Sequence, residues 1–271
     1  MADLCDIPTL LAMRASCTTL NSHASAILNS EKIALMEHYH EQQEVIWRHL
    51  DSARAVVGGL AALSFVLREP RVLPEAMDVY VTPLQGEHLE QWLEEDEELH
   101  MNLSTTVVWT TANPEAGRRH ITRTTTFPTG NGRFIHIHTA TSHSALEPIV
   151  STGVTALMNW VSARAFGCAY PALTLNRRAL ACRRDDSNRG LHAVYDALEN
   201  NGFEIEQTAS AWSEWELQVP PATYHLHRPC MRTLYLCAWQ GRYFGDGGSL
   251  RFVGARGMYA EWRTMQTTAT E

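Results

Sequence analysis

The chain has no long apolar run: none of its 271 residues lies in a stretch approaching the roughly 20 apolar positions that a spanning helix needs. It has no basic excess either. Twenty-two Lys and Arg against 30 Asp and Glu leave a formal net charge of −8. A protein whose main task is gripping a nucleic-acid backbone is normally basic, so nucleic acid is disfavoured as a partner, although a local basic pocket stays open. The start, "MADLCDIPTLLAMRASC", lacks a basic leader followed by an apolar core, which argues against a secretory signal. The six cysteines are scattered through apolar or helical contexts, the usage of reduced thiols in a cytoplasmic or nuclear protein. There is no internal repeat, no Gly-x-Gly-x-x-Gly or Walker-type loop, and no nucleophile elbow around Ser142, His143 or Ser144, so hydrolase chemistry has no support.

What is present is a hydrophobic fraction of 45%, enough for one sizeable core or two small ones. Helical spacing of apolar residues predicts helices over 6–28, 31–50, 60–67, 86–100, 144–166 and 190–202, with Pro148 and Gly153 as breaks in the fifth. The acidic run in 86–100 reads as a solvated face. Asn201 and Gly202 suit a left-handed helix end. Strands are predicted at 53–57 and 77–82, and as a hairpin at 120–127 and 133–140 around "PTGNG". Residues 170–184 read as a turn and a short helix capped near Thr174. From Phe203 on, short strands mix with loops, and 243–254 is a turn leading into a strand. This order implies an α+β fold, a small mixed sheet with helices against it.

Two features suggest chemistry. Gly58 and Gly59 stand between a strand and a helix. There a diglycine lets backbone approach a phosphate, and the helix N-terminus adds N–H donors; the alternative is a tight turn with no ligand. Asp78 lies alone in the strand "MDVYV". Two acids one residue apart on such a strand would share a face and could hold Mg²⁺, which neutralises a triphosphate and aligns an attacking hydroxyl.

With "VVGGLAALSFVL" before "LPEAMDVYV", the sequence resembles the polymerase-β-like nucleotidyltransferases. It resembles more closely a group of fungal proteins with that fold, many preceded by an F-box-like region. "STGVTALMNWVSARAFGCAYPALTL" (151–175) and "CMRTLYLCAWQGRYFGDGGSLRF" (230–252) add to the likeness. "DIPTLLAMRASCTTLNSHASAIL" is similar to the latter part of an F-box. The resemblance implies a sheet of nucleotidyltransferase type over 51–271, with a helical and short-strand C-terminal extension and a helical, F-box-like remnant over 1–50. It also implies a three-acid metal site. In the family pattern one acid falls at position 76, which is Ala76, and another falls in "GRFIHIHTA", at His136. Glu75 faces the other way in a regular strand. One carboxylate of three survives, which is a poor Mg²⁺ site, because Mg²⁺ favours oxygen ligands.

Other constellations have a functional and a plainer reading. His136 and His138 alternate on one strand face and with Asp78 could hold a transition metal, or they are two polar residues on a half-exposed hairpin. His225, His227, Cys230 and Cys237 are zinc-ligand types at no familiar spacing, against buried core side chains. Arg177, Arg178, Arg183 and Arg184 could hold phosphate, or form a solvated surface balanced by Asp185 and Asp186. His38 and His40 face different directions on a helix. The Trp residues of "WSEWEL" read as core.

The function expected from these features is that of a catalytically degenerate nucleotidyltransferase-fold protein binding a nucleotide or a protein partner, with no confident cofactor. Two alternatives stand beside it. One is an active, Mg²⁺-dependent nucleotidyltransferase using Asp78 with a second acid such as Glu75 or Asp246. The other is a ubiquitin-ligase-type adaptor docking through the N-terminal helices. No membrane partner is expected.

Overall fold

The computed structural model describes residues 5–70, 73–108, 120–181, 189–216, 235–237 and 243–253. Helix α1 (Ile7–Ser16) opens at Asp6, whose Oδ1 accepts the Thr9 N–H at 2.9 Å, with Pro8 in the first turn. Extended backbone at Cys17 separates it from α2 (Thr18–Glu37). The single helix expected over 6–28 is therefore two, and the second runs on past residue 31. The helix expected over 31–50 is broken before α3 (Gln43–Ser52). The His40 ring accounts for the break: Nδ1 accepts the Gln42 N–H at 3.0 Å, and Nε2 lies 3.1 Å from the Leu99 carbonyl oxygen. Such side-chain bonds to nearby backbone compete with helical ones.

Strand β1 (Val56–Val57), helix α4 (Gly59–Leu67), strand β2 (Ala76–Val81) and helix α5 (Pro83–Glu95) follow. Pro83 starts α5 three residues before the predicted position, in the first turn where proline costs no hydrogen bond. A strand that the sequence reading did not place, the β-branched β3 (Thr105–Val108), precedes the expected hairpin of β4 (Ile121–Pro128) and β5 (Phe134–Ala140). The long helix expected over 144–166 does not form. Its place holds a short α6 (Glu147–Val150), a 3₁₀ turn (Thr155–Leu157), β6 (Asn159–Val161) and the start of β7 (Ala165–Cys168). Here pairing overrides periodicity: Val161 lies opposite both Val57 of β1 and Phe166 of β7, extending the sheet.

Then come α7 (Pro171–Thr174), β8 (Arg178–Leu180), α8 (Arg189–Asn200), β9 (Glu204–Glu206), α9 (Ser213–Glu216) and β10 (Leu250–Val253). The short helix therefore ends at Thr174 rather than starting there, and part of the expected 170–184 helix is strand. Gly202 takes φ +78 just after α8, the left-handed end expected there.

Among the described residues the fold is α+β, with a mixed eight-stranded sheet in the order β10-β7-β6-β1-β2-β5-β4-β3. Only β2 and β5 pair in parallel within it. Alternation divides the sheet's contacts. Met77, Val79, Val81, Ile135 and Ile137 join one core together with Ile7, Leu10, Ile27, Leu28, Leu35 and Met36 of α1 and α2. On the other face Val56 and Tyr80 pack with Ile121, Ile149 and Trp160. A smaller cluster joins Leu198 of α8 to Leu63, Val154, Leu157 and Phe203. No described helix is long and apolar enough to cross a membrane.

Candidate functional site

The parallel register of β2 and β5 sets Ala76 opposite Phe134, Asp78 opposite His136 and Tyr80 opposite His138. The antiparallel register of β5 and β4 sets His136 opposite Thr126 and His138 opposite Thr124. One face of three adjacent strands thus carries a carboxylate, two imidazoles, two hydroxyls and two aromatic rings. The glycines of the β1–α4 turn lie against the same face.

The residue bonded to Asp78 is the diagonal one. His138 Nε2 lies 2.9 Å from Asp78 Oδ1, and His138 Nδ1 lies 2.9 Å from Thr124 Oγ1. An ionised carboxylate only accepts, so Nε2 carries the proton and, in the neutral ring, Nδ1 accepts from the Thr124 hydroxyl. The His138 side chain is 8% exposed and Asp78 is 34% exposed, so the imidazole braces the carboxylate from behind. His136 repeats the pattern, with Nδ1 2.9 Å from Thr126 Oγ1. The rings of Tyr80 and His138 are 5.0 Å apart, and those of Phe134 and His136 are 6.4 Å apart and nearly coplanar in orientation, at 7°.

Both glycines have a packing reason. A Cβ on Gly58 would fall 2.6 Å from the Tyr80 ring. One on Gly59 would fall 2.6 Å from Asp78 Oδ2, and Gly59 also takes φ +60. Both are buried. The Asp78 carboxylate therefore lies at the N-terminal end of α4, where an anion is favoured by the helix dipole. Nearby, the Tyr39 phenol donates to the Pro74 carbonyl at 3.1 Å. Burial, and then the Asp78 charge, push its pKa well up, so it stays protonated.

The remaining candidates fall elsewhere. Glu75 is exposed just before β2, where its carbonyl accepts the Phe134 N–H at 3.1 Å. Asp246 closes its own turn, with Oδ1 accepting from Gly248 N–H at 3.1 Å and Ser249 Oγ at 2.8 Å. Arg177 bonds Glu69 and donates to the Asn201 carbonyl at 2.7 Å. Arg178 lies within 5.1 Å of both the Trp212 and Trp215 rings and pairs with Glu214. These two arginines are tied into the fold rather than into a solvated helix surface. Trp212 is buried, as the core reading of "WSEWEL" expects. Cys237 is half-buried, its carbonyl accepting from the Tyr170 hydroxyl at 3.3 Å. His225, His227, Cys230, Arg183, Arg184, Asp185 and Asp186 lie outside the described residues.

Mg²⁺ does not fit this donor set, which offers one carboxylate, already bonded to an imidazole, beside an alanine and a second imidazole. Among the described residues no three His, Cys, Asp or Glu side chains converge to hold a metal ion, so the ligand set of Asp78, His136 and His138 is not assembled as one.

Sequence reasoning found Asp78, His136 and His138 but not Thr124 and Thr126, which read only as strand formers. The hairpin register counted outward from "PTGNG" carries the missing signal, since it sets each threonine opposite an imidazole. No family model, no curated protein and no solved structure matches this chain.

Proposed function

We propose that this chain is a catalytically degenerate protein of nucleotidyltransferase type, acting by binding a nucleotide or a protein rather than by nucleotidyl transfer. The observation that carries the reading is the 2.9 Å bond from His138 Nε2 to Asp78 Oδ1. An imidazole N–H already occupies one of the two Asp78 oxygens, and the positions beside Asp78 on the same face hold Ala76 and His136, neither a carboxylate. Nucleotidyl transfer without a metal would leave the charge of a triphosphate unneutralised. The strand–diglycine–helix–strand order and the parallel partner strand agree with the family resemblance.

Calorimetry with each of the four nucleoside triphosphates, with and without Mg²⁺ or Mn²⁺, and a pyrophosphate-release assay test the reading. The expected result is no pyrophosphate release under any condition, and binding, where seen, that ignores metal. Metal-dependent pyrophosphate release that disappears in Asp78→Ala would overturn it in favour of the active enzyme. The adaptor reading is not favoured by the N-terminal helices, whose apolar side chains Ile7, Leu10, Ile27 and Leu28 are buried in the main core.

A further inference from the structure

Of the 22 basic side chains, 21 are arginine and one is lysine, although lysine is ordinarily among the commonest residues. The two are not interchangeable. Both are cations at neutral pH, but only the lysine amine sheds its proton readily enough to attack an acyl group, whereas the guanidinium stays charged. The chain thus carries its positive charge while offering a single side-chain amine, that of Lys32.

The fold shuts that amine away. Lys32 lies in α2 and is 8% exposed, although lysine is almost never buried unless paired. Its Nζ donates to the Ala163 carbonyl at 2.6 Å, in the turn between β6 and β7. Its own carbonyl accepts the Trp47 indole N–H at 3.1 Å, which fastens α3 to α2 at this residue. One residue beyond Ala163, Arg164 Nε donates to Asp51 Oδ2 at 2.9 Å, joining the same turn to α3. Two helices and a strand connection therefore meet around Lys32. Burial lowers its pKa below the ordinary lysine value, and the Asp51 charge opposes the shift.

We propose that Lys32 is a fold-gated modification site, the one lysine acceptor for ubiquitin-type conjugation, shut while α2 lies against the β6–β7 turn and open once it parts from it. The donor is a protein carboxyl terminus held as a thioester. The neutral amine attacks the thioester carbonyl carbon; a C–N bond forms, the C–S bond breaks, and the proton released by nitrogen leaves with the thiol. An isopeptide and a free thiol result, with no oxidant or reductant. The attack needs an amine released from the Ala163 carbonyl and exposed to its donor, and the folded chain supplies neither. Folded copies then escape lysine tagging, and opened copies are marked, which ties turnover to the integrity of the fold. This inference is independent of what the β2–β5 face binds.

Two measurements on the full chain test it. The first is non-enzymatic acetylation by acetyl-CoA, a small thioester, at mildly alkaline pH. Peptide mass spectrometry reads the adduct at Lys32, and a synthetic peptide of residues 25–37 sets the rate of the open amine. The folded chain should react at least about a hundredfold more slowly than the peptide. The second is ubiquitin conjugation in a reticulocyte lysate that tags a denatured control protein, on the wild type, Leu28→Ala, and Leu28→Ala combined with Lys32→Arg. Leu28 is buried in the main core, so its truncation raises the open population, which a lower thermal midpoint verifies. The ubiquitin remnant at Lys32 should be at least about tenfold more abundant in Leu28→Ala than in the wild type. Conjugates should fall back to the wild-type level in the double variant, which need not fold. The proposal is overturned if Lys32 of the folded chain acetylates within about threefold of the peptide, since the amine is then open. It is also overturned if Leu28→Ala is tagged at Lys32 no more than the wild type, or if the double variant is conjugated as heavily as Leu28→Ala.

Discussion

Gly59 and Asp78 define each other at the level of single residues. The glycine takes φ +60, a conformation that costs an L-residue roughly 1–2 kcal/mol, and its Cα faces the carboxylate closely enough that a Cβ would meet Oδ2 at 2.6 Å. Gly59→Ala should therefore lower stability by about 2 kcal/mol or more in urea denaturation. Gly130, with nothing within 4 Å of a Cβ, is the control, and Gly130→Ala should stay within about 0.5 kcal/mol of the wild type. Adding Asp78→Ala to Gly59→Ala should recover the part of the loss that comes from the clash and leave the backbone part. A Gly59→Ala protein as stable as the wild type would mean that the carboxylate does not press on this turn. The diglycine was visible in the sequence, but its cause was not. A strand–Gly-Gly–helix pattern is written alike whether the close neighbour is a phosphate or a side chain from the next strand.

At the level of elements, the β4–β5 turn clamps the end of α2. Asn131 Nδ2 donates to the His38 carbonyl at 2.9 Å, and the Arg133 guanidinium donates to the same oxygen. Burial, and next the Arg133 charge, depress the pKa of His38 below the ordinary histidine range. The unfolded chain therefore takes up a proton at this residue before the folded one does. The contribution to stability is fully present above the unfolded pKa of about 6.5 and is lost as pH falls through that value toward the folded one. Urea midpoints measured at pH 8 and pH 5 should show the wild type losing more stability on acidification than His38→Gln. Equal losses in the two proteins would remove His38 as the cause. The hairpin itself was legible, because threonine and isoleucine flank a Gly-rich turn. The division of 144–166 into a short helix and two strands was not. Its apolar residues recur at a spacing that suits a helix, and only the presence of β1 as a partner makes Asn159–Val161 a strand.

Across the whole molecule, α1 and α2 are not an appendage. Ile7, Leu10, Ile27, Leu28, Leu35 and Met36 are buried in the same core as Val57, Val79 and Ile137. Lys32 Nζ donates to the Ala163 carbonyl at 2.6 Å, tying α2 to the connection between β6 and β7. Each of those six side chains is worth about 1.5–3 kcal/mol when buried, so together they rival a typical domain stability of about 5–15 kcal/mol. A chain starting at residue 38 should therefore lack a cooperative thermal transition and bind a hydrophobic dye such as ANS. A sharp transition near that of the full chain would show instead that residues 1–37 are dispensable, as a detachable docking segment would be. The sequence by itself determined the α+β class, the central hairpin, the strand bearing a lone aspartate and the faces on which Ala76, Asp78, His136 and His138 lie, because side-chain alternation is a local property of extended chain. Only the tertiary structure decided which imidazole bonds Asp78 and that Tyr80 and Asp78 cover the diglycine. Those contacts join residues 19 to 60 positions apart, and their geometry is set by strand pairing and close packing rather than by any local pattern.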